Sequence, residues 1–186
     1  MTEWIELPGV DEALRDAVRE LEAHASHEGW DRPARLFALV DTAALVAREP
    51  ELASAMGLDA SAGGLTAVEQ ESLADSSLED TLLGIEWPPD VAGCAAVVER
   101  FVLPPAAEEQ LPDSDAEALA FAAEHPDREE VRIVAGATRA GTTYCALRMR
   151  SHDDDLKVLE APDLVPSLLE LLLGTFPPDP PHDQND

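Results

Sequence analysis

The sequence is poor in positive charge and in long apolar runs. Lys and Arg together number 12 against 39 Asp and Glu, which gives a formal net charge of −27 at pH 7. We expect no nucleic-acid partner, because binding to phosphates requires clustered basic side chains. The same charge disfavours anionic membrane surfaces. No apolar run, including the leucine-rich stretch near 168–173, is long enough to cross a bilayer.

Cysteine and aromatic residues are scarce as well. Aromatic residues make up only 4% of the chain, so its core must be built from aliphatic side chains. The two cysteines, Cys94 and Cys145, fall in predicted strands and in no spaced framework, which is typical of reduced, buried thiols. The two thiols would lie close together only if their strands were neighbours. Because no N-terminal signal pattern is present, we expect a cytoplasmic protein.

The clearest pattern in the chain predicts a β-hairpin. Apolar residues alternate along 131–137 and again along 143–149, which is typical of two strands that share one buried face. Gly141 suits the left-handed position that closes a three-residue hairpin loop. This register places Ile133 opposite Leu147 on the buried face, and it leaves the arginines of the hairpin on the other face.

The remaining periodicities predict an α+β fold with a small, mostly antiparallel sheet of about four strands. The strands are predicted at 35–41, 92–103, 129–138 and 142–150. The main helices packed with this sheet are predicted at 10–27, 115–124 and 164–175. We expect a single domain over 1–176 and a disordered, Pro- and Asp-rich tail over 177–186.

An irregular acidic segment is predicted near 58–76. It contains Gly63, Gly64 and scattered small residues without a long period. The spacing of Thr66 and Glu69 matches a capping box, so a short helix is predicted to begin there.

The arginines are concentrated in the predicted hairpin. Eleven acids and no Lys or Arg lie between Arg48 and Arg100, whereas 128–150 holds five arginines and two acids. The predicted register sets Arg132 opposite Arg148, an arrangement that is unfavourable unless acidic groups neutralise the two charges.

Two interpretations of these arginines are open. In the first, acids of the middle segment neutralise them, and Glu99 on the predicted central strand is the first partner expected. In the second, Arg132, Arg148 and Arg150 bind an anionic ligand together with Tyr144, because guanidinium groups suit phosphate and carboxylate.

The histidines offer a weaker hypothesis. His24 and His27 lie on one face of the first predicted helix and are candidate zinc ligands. A histidine pair near a helix C-terminus is also favoured by the helix dipole alone. The acidic run 152–155 lacks the spacing of a calcium loop and predicts a solvated turn. The sequence has no P-loop, nucleophile elbow or dinucleotide-binding glycine set, so we predict no catalytic residue and no cofactor.

The leucine-rich last helix also allows two interpretations. Its apolar residues cover most of its circumference, which is typical of a helix wedged into a core. Alternatively, one side of it contributes to a homodimer seam.

Four segments resemble a known family. They are 29–42, 87–100, 125–132 and 145–154, and they are similar to an actinobacterial family of small acidic cytoplasmic proteins. The resemblance implies an actinobacterial source. No activity, cofactor or catalytic residue carries over from it to this sequence.

The leading functional hypothesis is a non-enzymatic protein-interaction or regulatory domain that binds a protein partner or a second copy of itself. The lack of a catalytic constellation, the acid-only middle segment and the leucine-rich last helix favour it. The alternatives are a small protein or enzyme that binds an anionic ligand at the arginine cluster, and a metal site at the two histidines.

Overall fold

The structure, a computed structural model, describes residues 11–59, 63–70 and 77–177. Its strands are β1 (Arg35–Asp41), β2 (Leu65–Glu69), β3 (Val91–Val102), β4 (Glu129–Thr138), β5 (Thr143–Met149) and β6 (Leu159–Ala161). Its α-helices are α1 (Glu12–Glu28), α2 (Thr42–Arg48), α3 (Pro50–Ala55), α4 (Leu78–Gly84), α5 (Pro105–Glu108), α6 (Asp115–Glu124) and α7 (Pro166–Leu173). The described strands form one sheet in the order β2-β1-β3-β4-β5-β6, and every neighbouring pair is antiparallel.

The predicted hairpin is confirmed together with its register. Ile133 pairs with Leu147, and Arg132 pairs with Arg148. Gly141 has φ of 91° and donates its N–H to Thr138 O at 2.9 Å. The turn chemistry and the alternation of apolar residues therefore selected the same pairing.

The predicted class is confirmed, but the predicted number of strands is wrong. Over the described residues the sheet has six strands, and β2 lies where a short helix was expected from Thr66. Pairing with the open edge of β1 gives this segment backbone hydrogen bonds, whereas a single helical turn is unstable alone. The other added strand, β6, spans three residues, too few for a periodic signal. Residues 60–62 and 71–76 of the acidic segment, and 178–186 of the predicted tail, lie outside the described residues.

The last helix is shorter than predicted and belongs to the core. It begins at Pro166, after Val165 with φ of −135°, since a proline pushes the residue before it out of the helical region. Leu169 and Leu172 are buried against the sheet. The core interpretation of the last helix is thereby confirmed for these two leucines.

The sheet is covered on both faces, so the face that carries the arginines is also buried. The last helix α7 and the short helix α4 cover one face with Leu78, Leu82, Leu169 and Leu172. The long first helix α1 covers the other face with leucine and valine side chains. In the described ranges, no helix is both long and apolar enough to cross a membrane.

The two cysteines lie on strands that are not neighbours. Cys94 on β3 and Cys145 on β5 are separated by β4, which places their backbones about 10 Å apart. That separation exceeds the reach of a disulfide. Both thiols are buried, and burial raises the pKa of Cys94 to about 11.

A glycine allows α1 to approach the sheet closely. A Cβ added at Gly136 on β4 would lie 2.9 Å from Leu14 Cδ1 and 3.0 Å from Val18 Cγ2. Leu14 and Val18 are fully buried, so either side chain could make room only by repacking against its core neighbours. The missing side chain thus fixes the distance between α1 and β4.

We predict that Gly136→Ala lowers the free energy of unfolding by about 1–3 kcal/mol through overpacking. Urea denaturation measures the change. The matched control is Gly84→Ala at the end of α4, where an added Cβ meets nothing within 4 Å. Equal stability of the two variants would contradict this account of the packing.

Candidate functional site

Arg148 is the centre of a buried ionic cluster. Its side chain is 2% exposed, and it donates to both carboxylate oxygens of Glu22 on α1, at 2.5 and 3.2 Å. It also donates to Asp153 at 3.0 Å and to Asp155 at 2.6 Å. The hydrogen bond with Glu22, followed by that with Asp155, raises the pKa of Arg148. Three carboxylates of the same chain thus neutralise this arginine.

Arg150 lies at the edge of the cluster and is also paired. It donates to both carboxylate oxygens of Asp31, at 2.8 and 3.0 Å, and to Glu130 at 2.5 Å. These bonds raise the pKa of Arg150, and Arg150 lowers the pKa of Asp31. The pair with Asp31 is exposed, so its contribution to stability is small.

Arg132 differs from the other two arginines because no carboxylate of the described residues binds it directly. Its side chain is 2% exposed, and it donates through Nη2 to Gly29 O at 2.7 Å. Nη1 is buried and has no hydrogen-bond partner among the described residues. Burial lowers the pKa of Arg132, while Glu99 and Glu22 oppose that change from a distance.

The expected pairing of Glu99 with Arg132 takes a different form. The two residues are opposite each other on β3 and β4. However, the carboxylate of Glu99 accepts from the backbone N–H groups of Asp31 and Arg32, at 3.0 and 3.4 Å. Glu99 therefore anchors the loop after α1 and attracts Arg132 only through their opposite charges.

Trp30 fills the space between the arginines. The guanidinium carbon of Arg132 lies 4.3 Å from the Trp30 ring centroid, and that of Arg150 lies 5.6 Å from it. The indole N–H donates to Asp153 at 3.1 Å. An aromatic face with a cation near it is a favourable arrangement, so Trp30 offsets the repulsion between like charges.

The space beside Arg132 is too small for an anionic ligand. The cavity there has a volume of about 10 Å³ and is lined by residues that include Glu28, Gly29 and Arg32. That volume accommodates about one water molecule. A phosphate or a carboxylate would require the loop after α1 to move.

Tyr144 does not belong to the arginine cluster. It pairs with Gly136, four residues along the sheet from the pair of Arg132 and Arg148, which is roughly 13 Å. Its ring is buried with the α1 side chains, and burial raises its pKa.

The two histidines are separate from this cluster. His24 Nε2 lies 3.4 Å from Glu28 Oε1, and His27 Nδ1 lies 2.8 Å from Ala23 O. In the described part of the chain, no group of three or more His, Cys, Asp or Glu side chains could hold a metal ion. Zinc binding by His24 and His27 stays a prediction.

A second feature is an apolar groove between α6 and the end of β3. None of the ten residues of α6 is buried, and Leu119 is 70% exposed. The helix was predicted at its correct bounds, and it contacts the end of β3 without burying any of its own residues. The groove has a volume of about 490 Å³. Its apolar walls are Phe101, Val102, Leu103, Leu111 and Leu119.

The sequence patterns do not predict the partners Glu22 and Trp30, or this groove. Glu22 follows Leu21, which belongs to the apolar stripe of α1. Only the fold shows that the carboxylate of Glu22 faces Arg148. The alanine-rich composition of α6 hides which side is covered. Trp30 lies in the segment 29–42, one of the four segments that carry the family resemblance. That membership was the only sequence signal that pointed to Trp30.

The fold, the arginine cluster and the groove define an α+β protein with a doubly covered antiparallel sheet, in which Arg148 and Arg150 are paired with carboxylates of the same chain. The chain belongs to the PPA1309-like protein family, whose model matches residues 14–177. No curated protein and no solved structure matches it. The family description names no activity, and the actinobacterial source implied by the resemblance stays a prediction.

We predict that Arg148→Met destabilises the protein by about 3 kcal/mol, because it leaves the buried charge of Glu22 without its partner. Glu22→Met should destabilise it less, because Arg148 keeps Asp153 and Asp155. The double variant should be less destabilised than the sum of the two, since apolar side chains of similar volume replace a buried pair well. Urea denaturation of wild type, the two single variants and the double variant gives a double-mutant cycle, which measures the interaction energy of the pair. Additive effects would show that the pair does not interact.

A pH dependence follows from Asp153. Its hydrogen bond with Trp30, followed by that with Arg148, lowers its pKa. Its contribution to stability is therefore present above about pH 4, the ordinary range of aspartate, and is lost as the pH falls through the lower native value.

We predict that Asp153→Asn costs up to about 1 kcal/mol at pH 7, because this carboxylate is partly exposed. The difference from wild type should shrink as the pH falls below about 4 and should vanish only below the lowered native pKa, where wild type also lacks the charge. Unfolding at a series of pH values measures it. A difference that is unchanged at low pH would contradict the assignment.

Proposed function

We propose that this protein is a non-enzymatic protein-interaction domain and that the groove beside α6 is its interaction surface. In the described part of the chain, ten large hydrophobic side chains are exposed, and four of them line this groove: Phe101, Val102, Leu111 and Leu119. Clustered exposed apolar side chains mark interaction sites, whereas scattered ones do not. This clustering is the observation that carries the proposal.

We propose a structural role for the arginine cluster. Arg148 and Arg150 are saturated by carboxylates of their own chain. The alternative function, binding of an anionic ligand at Arg132, Arg148, Arg150 and Tyr144, is supported only by the unpartnered Nη1 of Arg132. The small cavity and the distance of Tyr144 both oppose it. We therefore assign the cluster to the attachment of α1 to the sheet.

The proposed partner is a different protein rather than a second copy of this chain. The core position of Leu169 and Leu172 in α7 removes the main support for a homodimer seam there. A symmetric dimer through the groove would bring the same acidic residues, such as Glu108 and Asp115, from both copies together. Like charges at an interface disfavour that contact.

We expect Leu119→Asp to abolish capture of a partner by the full chain in cross-linking from lysate of the source organism. The matched control is Leu83→Asp on α4, because Leu83 is 74% exposed and lies outside the groove. The same charge is added in both variants, so a difference in partner capture between them shows that the groove is involved. Sedimentation of the purified protein measures self-association in parallel.

Two outcomes would contradict the proposal. One is that both variants capture the same proteins as wild type. The other is a stable homodimer that Leu119→Asp leaves intact, because its interface would then lie elsewhere.

A further inference from the structure

We infer that the groove beside α6 binds a basic amphipathic helix of a partner protein. This inference rests on the proposed function and adds the chemistry of the partner. Three observations carry it: the apolar walls of the groove, the sign of the charge around them, and the form of the exposed α6 surface.

The charge around the groove is mainly negative, with Arg128 as a basic neighbour at the Phe101 wall. The segment 104–127, which contains α5 and α6, holds seven Asp and Glu residues and no Lys or Arg. Two of these acids, Glu108 and Asp115, line the groove itself. Complementary charge steers association and selects partners. A partner that presents basic residues beside its apolar anchors matches this surface.

One wall of the groove already contacts a guanidinium group. Arg128 of the same chain lies with its guanidinium carbon 5.7 Å from the Phe101 ring centroid. Phe101 is 43% exposed, so this ring is not fully covered. An aromatic face attracts cations, and the contact shows that an arginine fits at this wall.

The shape of α6 favours a helix as the occupant. Ala118 and Ala122 line the groove with Leu119 between them. Residues four positions apart form the ridges through which helices pack against one another. Small side chains on that ridge let a second helix approach closely, while Leu119 supplies an apolar contact. Helix-in-groove recognition of this kind uses anchors spaced by three, four and seven residues.

A set of three peptides of about 18 residues, roughly 27 Å as helices, tests this inference. The first carries leucines at helical spacing and Lys or Arg elsewhere. The second keeps the leucines but replaces the basic residues with Glu and Gln. The third keeps the basic residues but replaces the leucines with Gln. Calorimetric titration into the full-length protein at about 50 mM and about 300 mM salt separates charge from apolar contact.

We expect the first peptide to bind, and the second and third to bind at least about tenfold more weakly at low salt. Leu119→Ser should weaken binding of the first peptide by about tenfold, since it removes an apolar contact that the bound peptide would bury. The matched control Leu83→Ser should leave its affinity unchanged. Unfolding curves check that both variants keep the wild-type stability, as expected for side chains that are mostly exposed.

The acids of the groove are tested separately. The double variant Glu108→Gln/Asp115→Asn should weaken the first peptide severalfold at low salt, with a smaller effect at high salt. The double variant Asp16→Asn/Glu20→Gln on the exposed side of α1 removes the same number of charges and is the control for a general loss of negative charge. An equal loss in the two would mean that the overall charge, and not the groove, attracts the peptide.

The remaining outcomes separate this inference from the proposed function. If the third peptide binds as tightly as the first, or if Leu119→Ser equals Leu83→Ser, the inference is overturned. If the second peptide, which carries Glu and Gln, binds in a manner that depends on Leu119, the groove is an interaction surface but its partner is acidic and not basic. If no peptide binds and Leu119→Asp also leaves partner capture unchanged, both proposals fail.

Discussion

The pairing of Arg148 with Glu22 is the interaction on which the arrangement of this protein depends. It joins the first helix to the fifth strand, and both side chains are almost entirely removed from water. Burying either charge alone would be costly, so each fixes the position of the other. Gly136 acts with this pair, because the close contact of α1 with β4 brings Glu22 within reach of the guanidinium. Charge and packing therefore impose the same position on α1.

The cluster also explains how an unfavourable strand pairing is tolerated. Arg132 and Arg148 lie directly opposite each other, a contact that would destabilise an isolated hairpin. The loop after α1 resolves it by placing the Trp30 ring against Arg132. Asp153 then binds both the indole and Arg148. The chain pairs Arg148 with its own carboxylates and packs Arg132 against its own Trp30, so α6, which has no buried residue, is the better candidate for recognition.

The sequence was sufficient where the signal was local, and insufficient where it depended on distant packing. The hairpin could be predicted because Gly141 and the alternation through Ile133 and Leu147 select one register. The strand at 65–69 could not, because five residues gain their structure from the edge of β1. The Glu22 pair depends on the position of α1 over the sheet, which no local pattern encodes. The groove was missed because the alanines of α6 give similar hydrophobicity on several sides.

The separation of Glu22 and Arg148 along the chain has a kinetic meaning. The two residues are 126 positions apart, whereas β4 and β5 are joined by a short turn. Local contacts cost little loop entropy and form early, and distant ones form late. An interaction that forms after the rate-limiting step slows unfolding and leaves the refolding rate almost unchanged. We therefore expect the buried pair to slow unfolding more than it speeds refolding.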